Sequence, residues 1–191
     1  MKIVIDGNIG CGKSSLIEQI MKNNKTDYLI YPEPVDEWKD WLKLFYSDMS
    51  KYALGFQMKI LKSHFNKRRL SDGIFERSPL SCQKIFGELL YEDLILTQLE
   101  IDLTYEYYSD YGWFPDVVIY LKADPEVCYE RIHKRSRTSE ELISLDYIKR
   151  LDKKYEEVYN SVSHINVITL DANQPIEHIM KAYNKALKNI I

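Results

Sequence analysis

The most constraining feature of this sequence is a glycine-rich stretch near its start. It reads Gly-Asn-Ile-Gly-Cys-Gly-Lys-Ser from Gly7 to Ser14 and fits the pattern G-x-x-x-x-G-K-[ST]. The β-branched run 2–6 precedes it and a helical stretch, 13–22, follows it, which is the context that a phosphate-binding loop requires. A glycine-rich turn without a ligand is the alternative, and that context disfavours it. The stretch predicts a nucleoside triphosphate site without specifying a reaction.

Each residue type in this loop has a physical role at a phosphate. Glycines let successive backbone N–H groups point at one anion, and the positive end of the following helix adds to the attraction. Lys13 supplies a charge for the β- and γ-phosphates, and Ser14 supplies an oxygen for Mg²⁺. The predicted phosphate-binding residues are Gly7, Asn8, Ile9, Gly10, Cys11, Gly12, Lys13, Ser14 and Ser15.

Length and composition exclude several other classes of protein. The 191 residues suit one domain, 1–191, and 45% hydrophobic with 29% charged residues is typical of a folded globular chain. We expect no membrane partner, because no run of about 18 apolar residues occurs. A net charge of −3 removes the usual electrostatic argument for a nucleic-acid partner. The three cysteines are widely separated, which favours a reduced, cytoplasmic protein.

Short apolar runs alternate with longer amphipathic stretches along the chain. Strands are predicted at 2–6, 27–31, 73–76, 116–121 and 166–170. Helices are predicted at about 36–46, 50–69, 79–90, 92–111, 124–135, 141–162 and 174–190. This alternation predicts a three-layer α/β/α fold around a central five-stranded parallel sheet. Ligands of such sheets bind at the carboxyl ends of the strands, where the motifs of this chain fall.

Two acidic residues follow predicted strands. Glu33 lies between Pro32 and Pro34, which stiffen the backbone around it. A fixed carboxylate near a triphosphate suits a general base, although an ordinary turn explains this spacing equally well. Glu76 follows the third strand, in a position from which an acid can hold Mg²⁺ or its waters.

Two basic features accompany these acids. Arg77 could bind a phosphate or the Glu33 carboxylate, or could simply form a surface ion pair. The densest positive charge lies at about 131–141, where an arginine-rich lid would neutralise the charge that develops on a transferred phosphate. The alternative is a solvated basic helix end, and the phosphate-binding loop upstream favours the lid. The lid arginines are Arg131, Arg135 and Arg137.

Together these motifs resemble the deoxynucleoside kinase family, from about residue 1 to residue 160. The resemblance rests on the glycine-rich loop, Glu-Pro-Val-x-x-Trp at 33–38, Phe56-Gln57, Glu76-Arg77-Ser78, and the arginine series 131–137 followed by Leu145 and Tyr147. It implies a P-loop kinase fold with ATP and Mg²⁺ as cofactors. It also implies transfer of the ATP γ-phosphate to the 5′-hydroxyl of a small-molecule deoxynucleoside, and a homodimer.

The resemblance implies roles for individual residues of the catalytic group. Glu33 is the expected base, Arg77 holds the 5′-hydroxyl and the phosphate, and the metal ligands are Ser14 and Glu76. The catalytic set is Glu33, Arg77, Lys13, Arg131 and Arg135. Arg135 and Arg137 also contact ATP, and the loop beside the adenine is Asp171, Ala172 and Asn173.

Further residues are implied at the nucleoside. Gln57 matches the amide that pairs with the base edge, and Phe86 matches the ring stacked on the base. Tyr46 and Glu140 match the pair that reads the 3′-hydroxyl, although the spacing leaves Glu141 open. The implied substrate-binding set is Glu33, Trp38, Phe45, Tyr46, Phe56, Gln57, Ile60, His64, Arg77, Cys82, Phe86 and Glu140.

The chain departs from the family pattern at two positions facing the base. His64 and Cys82 replace the Arg and Asp of the deoxycytidine and deoxyguanosine kinases. Cys82 can act as a small apolar residue that leaves room for a thymine methyl group. His64 is expected to be a hydrogen-bonded histidine of the pocket wall, and a group that changes base preference is the alternative. We therefore expect pyrimidine substrates with thymidine preferred, in an enzyme that could act on several deoxynucleosides.

Two alternative functions remain open at this stage. A thymidylate kinase would act on a monophosphate and would not need a base at Glu33. A catalytically silent nucleotide-binding subunit would not need to retain Lys13, Glu33 and Arg77 together.

Overall fold

A computed structural model describes residues 1–23, 27–70, 72–135 and 143–190. It contains one sheet of five parallel strands in the order β2-β3-β1-β4-β5. The strands are β1 (Lys2–Gly7), β2 (Ile30–Tyr31), β3 (Gly73–Glu76), β4 (Val117–Lys122) and β5 (Asn166–Asp171). Helices flank the sheet, so the predicted three-layer α/β/α fold is confirmed.

The helices account for most of the remaining described chain. They are α1 (Lys13–Asn23), α2 (Val35–Ser47), α3 (Met49–Phe65), α4 (Pro79–Ser81), α5 (Glu88–Glu92), α6 (Gln98–Tyr111), α7 (Pro125–Lys134), α8 (Leu145–Ser161) and α9 (Ile176–Ile190). A 3₁₀ turn, Asn66–Arg69, follows α3, and a π-helix, Cys82–Gly87, joins α4 to α5. Among the described helices, none combines the length and the hydrophobicity that a membrane-spanning segment requires.

The main core forms around the central strands. Ile3, Val4 and Ile5 of β1 are fully buried, since β1 is a central strand and helices cover both faces of the sheet. A second, smaller apolar cluster lies among α2, α3, α5 and α6 and includes Trp38, Phe45, Ala53, Phe56, Leu90, Leu96 and Ile101. The space between these two cores, at the carboxyl ends of the strands, is where the site described below forms.

Two predicted elements differ in extent. The strand predicted at 27–31 is reduced to β2, because this edge strand pairs with β3 alone and Pro32, which has no N–H, ends it. The helix predicted at 92–111 is interrupted between α5 and α6. Leu94 adopts a left-handed conformation with φ 56°, which ends a helix, and Thr97 then begins a new one.

Thr97 begins α6 with a capping box. Its side chain accepts a hydrogen bond from the backbone N–H of Glu100, and the Glu100 carboxylate accepts one from the Thr97 backbone N–H at 2.8 Å.

Thr97→Ala should lower the free energy of unfolding by about 1 kcal/mol, measured by urea denaturation. Ser163→Ala, an exposed change outside the helices, is the matched control and should change it by less than about 0.5 kcal/mol. Equal effects of the two substitutions would contradict the capping role.

Candidate active site

Four predicted polar groups converge at the carboxyl ends of neighbouring strands. The phosphate-binding loop follows β1, Glu33 follows β2, Glu76 ends β3, and Arg77 comes next. All of them line one cavity. Its polar end is formed by Ile9, Gly10, Lys13, Ser14, Glu33, Glu76 and Arg77.

The phosphate-binding loop is packed too closely for a side chain at two of its glycines, Gly7 and Gly10. A Cβ at Gly10 would lie 2.4 Å from the backbone oxygen of Cys128, and Gly10 has a φ of 81°. Only glycine fits there, which keeps the loop backbone open toward a ligand. The Lys13 ammonium donates to the backbone oxygens of Gly7 at 3.0 Å and Asn8 at 2.7 Å. The loop therefore holds its lysine in place at the start of α1.

Ser14 and Glu76 form a pair of oxygen donors beside the loop. The Ser14 hydroxyl donates to Oε1 of Glu76 at 2.7 Å, and Oε2 of Glu76 accepts the backbone N–H of Glu33 at 3.1 Å. Mg²⁺ usually binds one or two protein oxygens together with waters and substrate phosphates. In the described ranges no group of three or more His, Cys, Asp or Glu side chains could hold a metal by itself. The Ser14–Glu76 pair fits a phosphate-bound Mg²⁺, which remains a prediction.

Glu33 and Arg77 form an ion pair at the edge of the cavity. Nε of Arg77 lies 3.3 Å from Oε1 of Glu33, whose side chain is 14% exposed. Burial raises the pKa of Glu33 above its ordinary value; the Arg77 charge opposes this and the Glu76 carboxylate reinforces it. A carboxylate with a raised pKa is a stronger base when ionised. The pair thus presents a basic group beside the predicted triphosphate site.

Arg77 occupies a strained backbone conformation. Its φ is 60°, which costs of the order of 1–3 kcal/mol for a residue other than glycine and is found mainly at functional sites. The guanidinium carbon lies 4.7 Å above the centre of the Phe86 ring. Burial lowers the pKa of Arg77, but the acidic groups of Tyr155, Glu33 and Asp6 outweigh that effect and raise it well above its usual value. Arg77 is therefore a permanently charged group in a fixed position.

The other end of the cavity is apolar and aromatic. Phe45 lies between Tyr46 and Phe56, with ring centres 5.2 and 5.1 Å away. The cavity thus has an apolar, aromatic end next to a charged end. The predicted residues that line this end are Trp38, Phe45, Tyr46, Phe56, Ile60 and Phe86, and they are joined by Val35, Leu42, Leu90, Ile143 and Tyr147.

Gln57 and Cys82 complete that end of the cavity. Nε2 of Gln57 donates to the backbone oxygen of Cys82 at 2.7 Å, which fixes which way the amide faces. Burial raises the pKa of the Cys82 thiol well above its usual value, so that it stays neutral. Cys82 begins the π-helix, and π-helical turns occur frequently at functional sites.

His64 lies outside the cavity lining. Its side chain is fully buried, and the centre of its ring lies 6.2 Å from the centre of the Trp38 ring. Burial, with the Lys67 and Arg77 charges, lowers the pKa of His64 to about 3, so that the ring is neutral. Neither ring nitrogen has a hydrogen-bond partner among the described residues. The expectation of a hydrogen-bonded histidine in the pocket wall is therefore wrong: α3 turns the ring inward, behind Trp38.

A second recess lies on the other side of the phosphate-binding loop. Its lining includes Cys11, Gly12, Ser15, Arg131, Arg135, Gln174, Pro175, Ile176 and Ile179. Arg131 donates to the backbone oxygens of Cys11 at 3.3 Å and Ala172 at 2.8 Å. Arg135 also lines the cavity, so it borders both recesses. The two recesses meet at Gly10, Lys13 and Ser14.

The remaining predicted residues separate into two groups. Five of them line neither recess: Gly7, Asn8, Asp171, Ala172 and Asn173. The carbonyl of Ala172 nevertheless accepts a hydrogen bond from Arg131. The loop predicted at 171–173 therefore does not line the second recess. The segment that follows it, Gln174–Ile176, lines the recess instead. Arg137, Glu140 and Glu141 lie outside the described residues, as does most of the predicted lid.

Sequence reasoning missed the support beneath Arg77. Asp6 is fully buried, and its carboxylate contacts Arg77, Tyr155 and Tyr159. A charged residue in an otherwise apolar strand was the available signal, because a buried carboxylate needs a partner. The tyrosines gave no signal, since tyrosines are frequent throughout this chain.

Comparison with known proteins identifies relatives along nearly the whole chain. A family model described as deoxynucleoside kinase matches residues 3–190. The thymidine kinase of Ictalurid herpesvirus 1 is 31% identical over 92% of this chain and 81% of its own length. A protein of invertebrate iridescent virus 3 that is named as a kinase, without a substrate, is 38% identical over 92% of this chain and 90% of its own length.

A solved structure matches the fold over its full length. The deoxyadenosine kinase of M. mycoides, determined with the products dCMP and a flexible dCDP bound, superposes with a TM-score of 0.89. It is 30% identical, and the match covers 100% of both chains. These relatives bear the names of enzymes for different bases, so they do not determine the base that this chain prefers.

The raised pKa of Glu33 predicts a pH-dependent effect on stability. Folding favours the protonated carboxyl, so the wild type loses stability as pH rises through the raised pKa. Glu33→Gln imitates the protonated form and should therefore have a higher melting temperature than the wild type at pH 8. Below the ordinary glutamate value, near pH 4, the difference should vanish.

Differential scanning calorimetry across this pH range is the measurement. Glu37→Gln, at an exposed position of α2, is the matched control and should show no such trend. A lower melting temperature for Glu33→Gln at pH 8 would show that the ion pair with Arg77 outweighs the effect of burial.

Proposed function

Because this chain belongs to the deoxynucleoside kinase family, we propose that it transfers the γ-phosphate of ATP to the 5′-hydroxyl of a deoxynucleoside. The observation that carries this proposal is the Glu33–Arg77 ion pair, with 3.3 Å between Nε and Oε1, in the same cavity as Lys13 and Ser14. The pair lies between a phosphate-binding loop and an aromatic recess. A hydroxyl between these two parts would meet a base on one side and a phosphate on the other.

Glu33 acts as the general base in this reaction. It accepts the proton of the 5′-hydroxyl as the oxygen attacks the γ-phosphate, and its raised pKa makes it a better acceptor than an exposed glutamate. Arg77 keeps the carboxylate oriented and places positive charge next to the attacking oxygen and the phosphate. Such positioning and electrostatic stabilisation supply most of the catalysis in phosphoryl transfer.

The donor nucleotide lies along the second recess, with its phosphates on the loop. Lys13 moves from the carbonyls of Gly7 and Asn8 to the phosphate oxygens, which are stronger acceptors. Ser14 and Glu76 hold Mg²⁺, which neutralises phosphate charge when bound. Arg131, Arg135 and Arg137 contribute further positive charge around the transferred group.

The aromatic end of the cavity takes the nucleoside. Gln57 directs its remaining amide donor and its oxygen at the base edge, because one N–H is already bound to Cys82. Phe86 stacks on the base, opposite Trp38, Phe45, Phe56 and Ile60, while Tyr46 and Glu140 bind the 3′-hydroxyl. A neutral Cys82 beside the base favours a pyrimidine, thymidine first, with other deoxynucleosides as further substrates.

Two other functions are less well supported. A thymidylate kinase would place a phosphate where Glu33 lies, and a buried carboxylate would repel it. A catalytically silent subunit would have no need for a strained, charged Arg77 paired to a basic carboxylate.

Domain organisation, location and assembly belong to the same proposal. Residues 1–191 form one kinase domain that works in the cytoplasm, which suits three free, buried cysteines. It forms a homodimer through α6, where exposed apolar side chains recur every four residues. These are Leu99, Leu103, Tyr107 and Tyr111, with exposures of 82%, 39%, 42% and 48%.

Turnover on separate substrates tests the reaction. ADP release with ATP and Mg²⁺ should occur with thymidine or another deoxynucleoside and should be absent with thymidine monophosphate. Glu33→Gln should lower kcat by about 10²–10⁴-fold, because it removes the base, while ATP still binds. The control Glu37→Gln should retain the wild-type rate. Turnover with the monophosphate alone would instead identify a thymidylate kinase, and no turnover with any substrate would favour a silent subunit.

The dimer has its own test. Leu103→Glu puts a charge in the middle of the apolar stripe and should convert a dimer into a monomer, measured by sedimentation velocity. Glu106→Gln, at an exposed position of the same helix but outside the stripe, should leave the dimer intact. A wild-type monomer at micromolar concentration would contradict the proposal.

A further inference from the structure

Arg77 is held from two opposite edges. Its Nε faces Glu33 at the cavity, and its Nη1 faces inward, to the Oδ1 of Asp6 at 3.1 Å. Asp6 lies in β1 and has no exposed surface. The inward edge of the guanidinium is thus anchored beneath the site, on the side away from any substrate.

Tyr155 of α8 joins these two charged groups. Nη1 of Arg77 donates to the Tyr155 hydroxyl, and that hydroxyl donates to Oδ1 of Asp6 at 3.0 Å. One hydroxyl therefore accepts from the cation and donates to the anion, which no apolar side chain could do. The three groups close a triangle of hydrogen bonds, because Arg77 also bonds to Asp6 directly.

The Tyr155 ring has little freedom to move. It is fully buried, stacks on Tyr120 with an interplanar angle of 12°, and meets Phe86 edge-on at 86°. Phe86 also carries the Arg77 guanidinium on its face, 4.7 Å from the ring centre. The packing of the Tyr155 ring therefore fixes the position of the hydroxyl that accepts the hydrogen bond from Arg77.

The Asp6 carboxylate is itself fixed by four hydrogen bonds from described residues. Its Oδ1 accepts the Gly7 backbone N–H at 2.7 Å, in addition to Arg77 and Tyr155, and its Oδ2 accepts the Tyr159 hydroxyl at 2.8 Å. The carboxylate is thereby locked to both β1 and α8.

A fourth acceptor for Arg77, the Gly7 carbonyl, is shared with another cation. Nη1 lies 3.2 Å from the Gly7 carbonyl, which also accepts from the Lys13 ammonium at 3.0 Å. Two positive groups on one carbonyl repel each other, so this carbonyl alone would not retain Arg77. The hydrogen bonds to Asp6 and Tyr155 therefore determine the position of the guanidinium.

We propose that Tyr155 and Asp6 are positioning residues that hold Arg77 in the geometry needed for phosphoryl transfer, an inference that rests on the proposed function. Among the described residues, neither lines the cavity or the second recess. They act through Arg77 and through it on Glu33, without touching a substrate. Their loss should lower kcat and leave substrate binding almost unchanged.

Tyr155→Phe tests this by removing one oxygen while keeping the ring. Its kcat should fall roughly tenfold, because small misplacement of a catalytic group is costly, while KM for ATP and for the nucleoside stays within about twofold. Tyr120→Phe is the matched control and should keep the wild-type kcat. Tyr120 is a buried neighbour whose hydroxyl has no hydrogen-bond partner in the part of the chain that the structure describes.

A spectroscopic signature separates positioning from general loss of packing. The ¹⁵N–¹H signal of Arg77 Nε, assigned with Arg77→Lys, should shift and exchange faster with solvent in Tyr155→Phe and not in Tyr120→Phe. Asp6→Asn provides a second variant and should change the same signal. Tyr159→Phe, which loses a bond to Asp6 but none to Arg77, should leave it in place.

The outcomes are distinguishable. An unchanged kcat in Tyr155→Phe, an unchanged Arg77 signal, or an equal loss in Tyr120→Phe would each overturn the positioning role. If the wild-type protein phosphorylates no nucleoside, the proposed function fails, while the Arg77 signal still reports whether Tyr155 holds the arginine.

Discussion

The burial of one guanidinium underlies the organisation of this site. Arg77 is only 6% exposed, and a charge removed from water is tolerated only when it is paired and hydrogen-bonded. Two carboxylates on opposite edges meet that requirement, Asp6 from β1 and Glu33 from the segment after β2. Because the two acids belong to different elements, their ion pairs with Arg77 also connect β1 and the segment after β2 to the end of β3.

That arrangement separates the cavity into a charged and a neutral end. Lys13, Glu33, Glu76 and Arg77 lie together at the ends of the strands, whereas Phe45 and the other aromatic side chains surround the far end. Low local polarity strengthens the interactions at the charged end, since fewer waters screen them. The same low polarity raises the pKa of Glu33, so burial beside the aromatic end also makes this carboxylate a stronger base when it is ionised.

Much of this site could be predicted from local sequence. The phosphate-binding loop depends on the spacing of Gly7, Gly12, Lys13 and Ser14, which a strand-to-helix turn converts directly into geometry. Glu76 was predictable for the same reason, because it ends a strand beside that loop. The break between α5 and α6 was missed, since Leu94 is an ordinary helix-forming residue and its left-handed conformation leaves no mark in the pattern.

Local sequence patterns specified the alternation of strands and helices, the phosphate-binding loop and the membership of the deoxynucleoside kinase family. The packing of distant elements specified that His64 turns away from the cavity and that Tyr155 reaches Asp6, which is 149 positions earlier in the chain. The physical reason is the range of each interaction. Backbone turns and strand ends depend on neighbouring residues, whereas the partner of a buried charge depends on which helix packs over the sheet.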